Sequence, residues 1–385
     1  MKNYDVIDRI RPNVSFKLFF KSLIQNNLPK DPYHLLKTSI FKRDYEYYYF
    51  NYGRSAIRFL FNSMKFKKVI FPAFICPTLV RAAISANVRP IFIDVNLDDF
   101  NLDQASLEVI DYEDVDAIFA VHTFGVPFDV EKIKSLTRKY GVYLIEDSAL
   151  ALFAKYNEKY CGNFGDFVLF SMYKQTPNLA GAILLSDADL EKPRLMTERL
   201  QLRDLIRLIQ LTHGPHQYPI NLLRRKKPLP TPSDDLYEEK APNDLSHHLF
   251  NQSLEVLGEQ VRLKNVVVDY YLDRVKDSEY IIFQKFDKNS VPSWYNFSVR
   301  LTPDIANIRD SLLLKLRKKG IFCDRVWYDS PVMLKEFKEY IDPGKYPNAT
   351  LLSKSIVNLP IKPDYSKEDV DFLFDEIKKS IESLI

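Results

Sequence analysis

The chain has 385 residues, of which 46% are hydrophobic and 27% are charged. This length predicts two domains, or a large domain with a smaller one, and the balance is typical of a globular protein with a sizeable core. The formal net charge is only +3, with acids and bases mixed along the chain, so nothing indicates a nucleic-acid partner.

The cysteines and the length of the apolar runs indicate the cellular compartment that we expect for the protein. Cys76, Cys161 and Cys323 form no Cys-x-x-Cys pair, which argues against a disulfide framework and a zinc site, so we expect no metal and a reducing cytoplasm. Residues 1–11 are polar and no run of eighteen apolar residues occurs, so neither a signal peptide nor a membrane span is predicted. Residues 14–24 are expected to form a helix packed on the protein itself, with a membrane-surface helix as the alternative.

Short apolar strands alternate with amphipathic helices from residue 53 to about residue 186. This alternation predicts an α/β fold in which helices cover both faces of a mostly parallel, buried sheet. Asp129 is predicted to cap a helix that Gly141 ends. The predicted helices are 55–64, 77–86 and 130–140, and the predicted strands are 68–71, 89–95, 117–121, 142–145, 167–170 and 182–185.

The following region has a different pattern. Residues 193–211 are predicted to form an amphipathic helix with a proline at its first position. Residues 219–243 are rich in proline and predict an irregular connection. Its basic run, 224–227, is expected to be a solvated loop, with an anionic substrate or partner as the alternative. A long helix is predicted over residues 248–276.

The C-terminal part mixes strands and helices as an α+β domain of its own. Its last helix is predicted to begin at Ser366 and Asp369, which form a variant of the capping box. Before it, the pattern predicts strands over 294–301 and 321–326 and a helix over 308–319. We therefore divide the chain into an N-terminal extension (1–49), a large domain (50–260, with an irregular insertion at about 212–245) and a small domain (261–385).

Two ionisable residues follow predicted strands. Asp147 comes directly after strand 142–145, and Lys174 follows strand 167–170. The carboxyl ends of parallel strands face the ligand crevice, so both side chains are expected to open onto one crevice. There a carboxylate can hold a positive charge on a ring nitrogen, and a desolvated amine can form a Schiff base. The alternatives are a helix cap for Asp147 and an ordinary surface lysine for Lys174.

A third candidate is the turn at residues 50–56, where Gly53 permits a tight turn before a helix. The backbone amides of Arg54, Ser55 and Ala56 would face an anion at the positive end of that helix. With one glycine, the segment is neither a Walker loop nor a dinucleotide fingerprint, so a plain helix start is the alternative.

Taken together, these segments resemble the DegT/DnrJ/EryC1/StrS sugar aminotransferases, a family of fold-type-I pyridoxal-phosphate enzymes. The resemblance covers the chain from about residue 50 to its C-terminus. It implies an aspartate-aminotransferase-like fold, with a large α/β domain and a smaller α+β domain. The matching segments, in family order, are residues 53–56, 69–74, 89–95, 121–125, 144–149, 162–166, 319–321 and 358–360.

The resemblance also implies roles for the candidate residues. Lys174 would bind pyridoxal 5'-phosphate covalently and later move a proton between the substrate carbon and the cofactor carbon. Asp147 would pair with the pyridinium nitrogen and keep it protonated. His122 matches a family histidine near the cofactor, although it is equally suited to a buried position in the core.

The phosphate group of the cofactor would lie at the turn. The resemblance implies that the backbone amides of Ser55 and Ala56 hold it, beside Arg54 and the hydroxyl of Ser171.

Several positions depart from the family pattern. Leu150 replaces a glutamine that contacts the cofactor, and Cys76 falls where an aromatic residue stacks on its ring. Gly181-Ala182 stands for the usual Gly-Gly, and Ser171 is closer to Lys174 than in most members. Because of these changes, the family pattern does not identify the substrate.

The implied function is amino transfer from an amino acid, glutamate, to a keto sugar linked to a nucleotide. The implied assembly is a homodimer. Lys174 argues against the dehydratases of the family, in which a histidine replaces this lysine. Two alternatives stay open: a pyridoxal-phosphate enzyme acting on a non-sugar ketone, and a non-catalytic binding protein of the same fold, which would bind no chromophore.

Overall fold

A computed structural model of the chain describes residues 33–41, 43–202, 227–229 and 239–385, with the strand Ile7–Asp8 and helical positions at residues 204, 206 and 208. The predictions for residues 14–24 and for most of the basic run 224–227 lie outside these residues. Among the described helices, none combines the length and the apolar character needed to cross a membrane.

A seven-stranded sheet forms the centre of the molecule, in the spatial order β1-β7-β6-β5-β4-β2-β3. Strand β7 runs antiparallel to both of its neighbours, and the other neighbouring pairs are parallel. This confirms the predicted α/β fold with a mostly parallel sheet. The strands are β1 Glu46–Phe50, β2 Lys68–Pro72, β3 Arg89–Ile93, β4 Ala117–Val121, β5 Tyr143–Asp147, β6 Phe167–Ser171 and β7 Ala182–Ser186.

Helices cover both faces of this sheet, and three of the predicted helix ends are confirmed. Asp129 accepts a hydrogen bond from the Lys132 amide at 3.0 Å, and Gly141 ends the same helix with φ +69°. Ser366 and Asp369 form the predicted capping box. The α-helices that the structure describes from end to end are α1 Gly53–Met64, α2 Pro77–Ser85, α3 Gln104–Val109, α4 Val130–Tyr140, α5 Asp244–Val275, α6 Arg309–Lys318, α7 Pro347–Ser355 and α8 Lys367–Glu382.

Successive residues of each strand point to opposite faces, so one strand contributes to two cores. Phe71, Phe119 and Leu169 pack on one face, against α1 and α2. On the other face, Ile118 and Leu144 pack with residues of α4, while Phe170 packs with Tyr33 of the N-terminal segment and Phe250 of α5. Because both faces are covered, the strands are apolar throughout, which explains their continuous hydrophobic runs.

The C-terminal part contains a three-stranded antiparallel sheet of Ile281–Phe283, Phe297–Leu301 and Ile356–Leu359. Helices α5, α6 and α8 pack on it. Asp94, just after β3, accepts hydrogen bonds from the amides of Asn348 and Ala349 in the first turn of α7, at 3.0 and 2.8 Å. The first turn of a C-terminal helix is therefore capped by a residue of the sheet region.

The division of the chain into domains stays a prediction, but two elements cross its limits. Strand β1 begins at Glu46, before the predicted start of the large domain. Helix α5 continues unbroken through the limit between residues 260 and 261. The N-terminal segment also contacts both parts of the chain, since Ile7–Asp8 pairs with Ile321–Phe322 and Tyr33 packs near the central sheet.

Several sequence predictions were wrong in extent, and three differ most. Residues 193–201 are not helical; Met196–Thr197 instead pairs with Lys240–Ala241, a distant partner that local periodicity does not reveal. The strand predicted over 294–301 begins only at Phe297, because Trp294 has φ +50° and interrupts extended backbone. The strand predicted over 321–326 is limited to Ile321–Phe322. The remaining short strands are Lys155–Tyr156, Lys159–Tyr160 and Ser290–Val291.

Candidate active site

The candidate residues lie at the carboxyl edge of the central sheet. His122 follows β4, Asp147 is the last residue of β5, and Lys174 comes shortly after β6. Val121 is in register with Asp147, and Asp147 with Leu169 of β6. Cys76, after β2, is the N-cap of α2. The parallel strands thus end side by side and place these residues along one edge, where open α/β sheets bind ligands.

Asp147 is a buried carboxylate, with 5% of its surface exposed. Its Oδ1 accepts the Ala149 amide at 2.9 Å, so it also stabilises the turn that follows β5. Burial raises its pKa to about 6, while the Ala149 amide and the charges of His122 and Lys174 limit the rise. Burial has removed the water that would stabilise the charge of this carboxylate. A cationic ring nitrogen beside it would supply that stabilisation as a charge partner, so the position suits such a ring.

Lys174 lies on the turn after β6 and is half-buried, with its Nζ 5.1 Å from the centre of the Tyr173 ring. Two hydrogen bonds restrain this turn. Gln175 accepts the Leu152 amide at 2.8 Å, and Asn178 donates to the carbonyl of Ser246 at 2.6 Å. A lysine on such a restrained turn has its amine positioned by the surrounding backbone.

Gly181 closes the lysine turn and could not be replaced without strain. It has φ +119°, and a Cβ atom there would lie 2.6 Å from the sulfur of Met172. Its amide donates to the carbonyl of Asn51 at 2.6 Å, so this glycine joins the lysine turn to the segment before α1.

The start of α1 differs from the sequence prediction. The helix begins at Gly53 rather than at Ser55, and the amides of Ser55 and Ala56 donate to the carbonyl of Tyr52 at 3.1 and 3.2 Å. An anion at this end would therefore meet Gly53 and Arg54, the first helical residues, rather than the two amides predicted to hold it. Each of these two amides already has one acceptor, and their contact with a phosphate stays a prediction.

Aromatic rings connect this helix start to the lysine turn. The guanidinium of Arg54 lies 4.2 Å from the centre of the Tyr52 ring, and Tyr52 meets Tyr173 edge-on at 6.2 Å. The Ser171 hydroxyl, also predicted to hold a phosphate, is buried and accepts the Tyr173 amide at 3.4 Å. The start of α1, proposed to lie at the phosphate, is therefore in contact with the turn that carries Lys174.

Cys76 and Leu150 occupy positions where the resemblance expects an aromatic ring and a glutamine. Cys76 is half-buried, and its Sγ lies 3.1 Å from the hydroxyl of Thr78. Leu150 is buried, and its carbonyl accepts the Ser293 hydroxyl at 2.8 Å. Neither side chain can reproduce the contact of the usual residue, because one has no ring and the other has no polar group.

Glu146 is a buried residue that the sequence analysis did not single out. Its carboxylate accepts the amides of Gly162, Phe164 and Gly165 at 2.5, 3.0 and 2.8 Å. Burial alone would raise its pKa, but His122 and these amides outweigh that effect and lower it. The sequence did contain a signal for this residue. Glu146 follows an apolar strand directly, and a buried acid there needs hydrogen-bond partners.

His122 is also fully buried, and its Nε2 lies 3.0 Å from Oε1 of Glu146. Because that carboxylate is ionised and can only accept, Nε2 carries the hydrogen and donates it. Nδ1 of His122 has no hydrogen-bond partner among the described residues. Both roles considered for His122 are therefore compatible with its position, as a core residue and as a neighbour of the site.

Cys161 completes a buried group of three possible metal ligands, with ligand atoms within 4.8 Å of one another. Burial and the charge of Glu146 raise the pKa of the Cys161 thiol well above its ordinary value. The cysteine is therefore a neutral thiol beside a carboxylate that already accepts three amides and the His122 ring, an arrangement that serves packing.

Replacing Glu146 with glutamine is expected to lower the free energy of unfolding by about 3 kcal/mol at pH 7, because an amide group would face donors that need an acceptor. The folded-state pKa lies below the ordinary value, so this stability should diminish as the pH falls below about 4.5. Urea unfolding of both proteins from pH 7 to pH 3 measures the effect. An equal loss at every pH would show that the carboxylate charge contributes nothing.

Comparison with known proteins identifies the family of the chain. The profile of the DegT/DnrJ/EryC1/StrS aminotransferase family matches residues 50–199 and 243–378. The dTDP-3-amino-3,6-dideoxy-alpha-D-galactopyranose transaminase of Aneurinibacillus thermoaerophilus is 26% identical over 302 residues, covering 77% of this chain and 74% of that protein.

Two solved structures share the fold. Helicobacter pylori PseC, an aminotransferase involved in the biosynthesis of pseudoaminic acid, superposes with a TM-score of 0.72 at 16% identity, covering 98% of this chain and all of that one (100%). The Escherichia coli GDP-4-keto-6-deoxy-D-mannose-3-dehydratase, with bound hydrated pyridoxal phosphate, gives 0.70 at 19% identity, covering 97% and 100%. With a family profile that matches most of its length, the chain belongs to the DegT/DnrJ/EryC1/StrS aminotransferase family and is a pyridoxal-phosphate-dependent aminotransferase.

Proposed function

We propose that the enzyme transfers an amino group from an amino acid, glutamate, to the keto group of a nucleotide-linked sugar. The observation that carries this proposal is the buried carboxylate of Asp147 beside the restrained lysine turn, at neighbouring strand ends. The substrate class is supported by the names of relatives, among them the dTDP-sugar transaminase and a Campylobacter jejuni transaminase of UDP-4-amino-4,6-dideoxy-N-acetyl-beta-L-altrosamine.

When bound, pyridoxal phosphate supplies an aldehyde that can carry an amino group and a ring that can accept electrons. The Lys174 amine would hold the cofactor at its aldehyde carbon. Once the amino donor displaces it, the same amine would move a proton between the substrate carbon that bears the amino group and the cofactor carbon. Asp147 stays ionised by pairing with the protonated ring nitrogen. Burial of Asp147 excludes water from this pair, which strengthens it.

The other contacts follow from position. Gly53 and Arg54 begin α1 and offer the positive end of a helix and a cation to the phosphate, with the Ser171 hydroxyl nearby. His122 donates to Glu146 on β5 and so supports the strand end that carries Asp147. We further propose a homodimer in a reducing cytoplasm, which is consistent with three free cysteines.

A second candidate acceptor is a ketone that is not a sugar. Cys76 and Leu150 favour it, because a thiol and an apolar side chain stand where the resemblance expects an aromatic ring and a glutamine. Amino transfer from the same donor would be retained, and only the second half of the cycle would differ. The two candidate functions therefore differ only in the molecule that accepts the amino group.

Visible spectroscopy of the purified protein with pyridoxal phosphate tests the proposal. We expect a visible absorbance band on loading, and its loss when glutamate is added. The aminated form, freed of glutamate, is then offered UDP-N-acetyl-3-dehydro-alpha-D-glucosamine, other nucleotide-linked keto sugars and simple ketones in parallel. 2-Oxoglutarate is left out because it only reverses the glutamate step. Return of the band with a nucleotide-linked sugar supports the first candidate, and return only with a non-sugar ketone supports the second. Absence of any band under saturating cofactor would contradict both.

A further inference from the structure

An aromatic cluster joins the C-terminal part of the chain to the edge of the sheet that carries the site. The ring of Trp327 lies 5.6 Å from that of Phe74 and 5.1 Å from that of Phe124, and Phe74 and Phe124 are 6.1 Å apart. The two phenylalanines are fully buried, whereas Trp327 is only half-buried. Part of the indole surface is therefore left for another contact.

Both phenylalanines of the cluster are close in sequence to residues of the site. Phe74 precedes Cys76 by two positions, and Phe124 follows His122 by two. Trp327 therefore packs between the segments that carry these two residues, one after β2 and the other after β4. Trp327 and Cys76 pack against the same core cluster, and Cys76 supplies no ring there.

The backbone of this cluster is strained. Trp327 has φ +62° and Phe124 has φ +57°, in the left-handed region that bulky side chains avoid. Two adjacent aromatic residues in this conformation need surrounding structure to hold them, and such outliers concentrate at ligand sites. Here the surroundings include Gly125, where a Cβ atom would lie 2.5 Å from both the Leu150 carbonyl and the Ser293 hydroxyl.

The two arginines close to Asp329, two positions after Trp327, already have acidic partners. Arg325 lies 3.7 Å from the centre of the Tyr328 ring and 2.5 Å from a carboxylate oxygen of Asp310. Arg81 of α2 pairs with Glu336 at 2.6 Å. Both arginines are therefore engaged elsewhere, and burial raises the pKa of the Asp329 carboxyl. These surroundings suit a flat ring better than an anion.

We propose that Trp327 is a ligand-contacting residue of the site, whose indole closes the crevice over the cofactor and takes the place of the ring that Cys76 lacks. Phe74 and Phe124 are positioning residues that hold it. The inference rests on the proposed function, since it assumes that the cofactor lies between Asp147 and the lysine turn. It follows that Trp327 also bounds the space left for the acceptor.

Tryptophan fluorescence provides a direct test, because the chain has only two tryptophans and Trp294 is fully buried. In the cofactor-free protein, acrylamide should quench Trp327 and leave Trp294 unaffected. Loading with pyridoxal phosphate should then protect Trp327 from acrylamide. The Trp327→Phe variant retains only Trp294 and is the matched control, in which acrylamide sensitivity should be low and unchanged by loading.

The dissociation constant of the cofactor separates contact from mere packing. We expect Trp327→Ala to raise it roughly two- to tenfold, as loss of an aromatic contact does, and Trp327→Phe to restore most of the affinity. A purely structural role would lower the melting temperature without changing the dissociation constant, and that result would overturn the inference. So would a visible cofactor band without protection of Trp327. If no band forms, the proposed function fails as well.

Discussion

Replacing Lys174 with alanine is expected to abolish the visible band of the loaded protein and to reduce amino transfer by roughly 10⁴-fold, the upper range for a positioned acid–base group. The reason is that one amine performs two tasks, holding the cofactor and carrying the proton. The Asp147 carboxylate cannot replace it, because it can neither form the covalent link nor leave the ring nitrogen. Absorbance spectra and turnover with glutamate measure both losses.

Lys174→Arg is the matched control, since it keeps the positive charge near Asp147 but has no amine able to form the covalent link. We expect it to fold as stably as the wild type, to bind the cofactor without the characteristic band, and to remain inactive. A band that persists in Lys174→Ala would show that another lysine holds the cofactor and would refute the assignment.

Replacing Asp147 with asparagine is expected to stabilise the cofactor-free protein by about 3 kcal/mol at pH 8 while removing most of its activity. Burial raises the pKa of this carboxyl from 3.8 to about 6. The folded protein therefore holds the proton more tightly than the unfolded chain does, and stability is lost as the pH rises through 6. Asparagine cannot ionise, so the benefit should shrink as the pH is lowered from 7 towards 4.

Activity should change in the opposite direction. Asparagine has no charge to keep the ring nitrogen protonated, so we expect a loss of about 10²-fold or more in turnover, the magnitude typical of one electrostatic contact. Denaturant unfolding across this pH range, beside turnover with glutamate, measures both effects. A cofactor-free Asp147→Asn protein that is less stable than the wild type at pH 8 would show that the ionised carboxylate has partners that outweigh its burial.

Much of the fold was predictable because its signals are local. Apolar strands separated by amphipathic helices predicted the parallel sheet, and Asp129 with Gly141 predicted both ends of one helix. Local signals also placed Asp147 and Lys174 at strand ends, and the rule that such ends share a crevice was enough to expect them near each other. The structure places both at the same edge of the sheet.

The sequence by itself thus determined the order of the elements and which of them end in chemically useful residues, since caps, glycines and periodicity act within a few positions. The tertiary structure alone decided what those residues contact. Glu146 meets the amides of the 162–165 loop, Met196–Thr197 finds its partner at Lys240–Ala241, and Trp327 packs against Phe74 and Phe124. Such contacts join positions far apart in the chain, and they depend on packing that no short segment specifies.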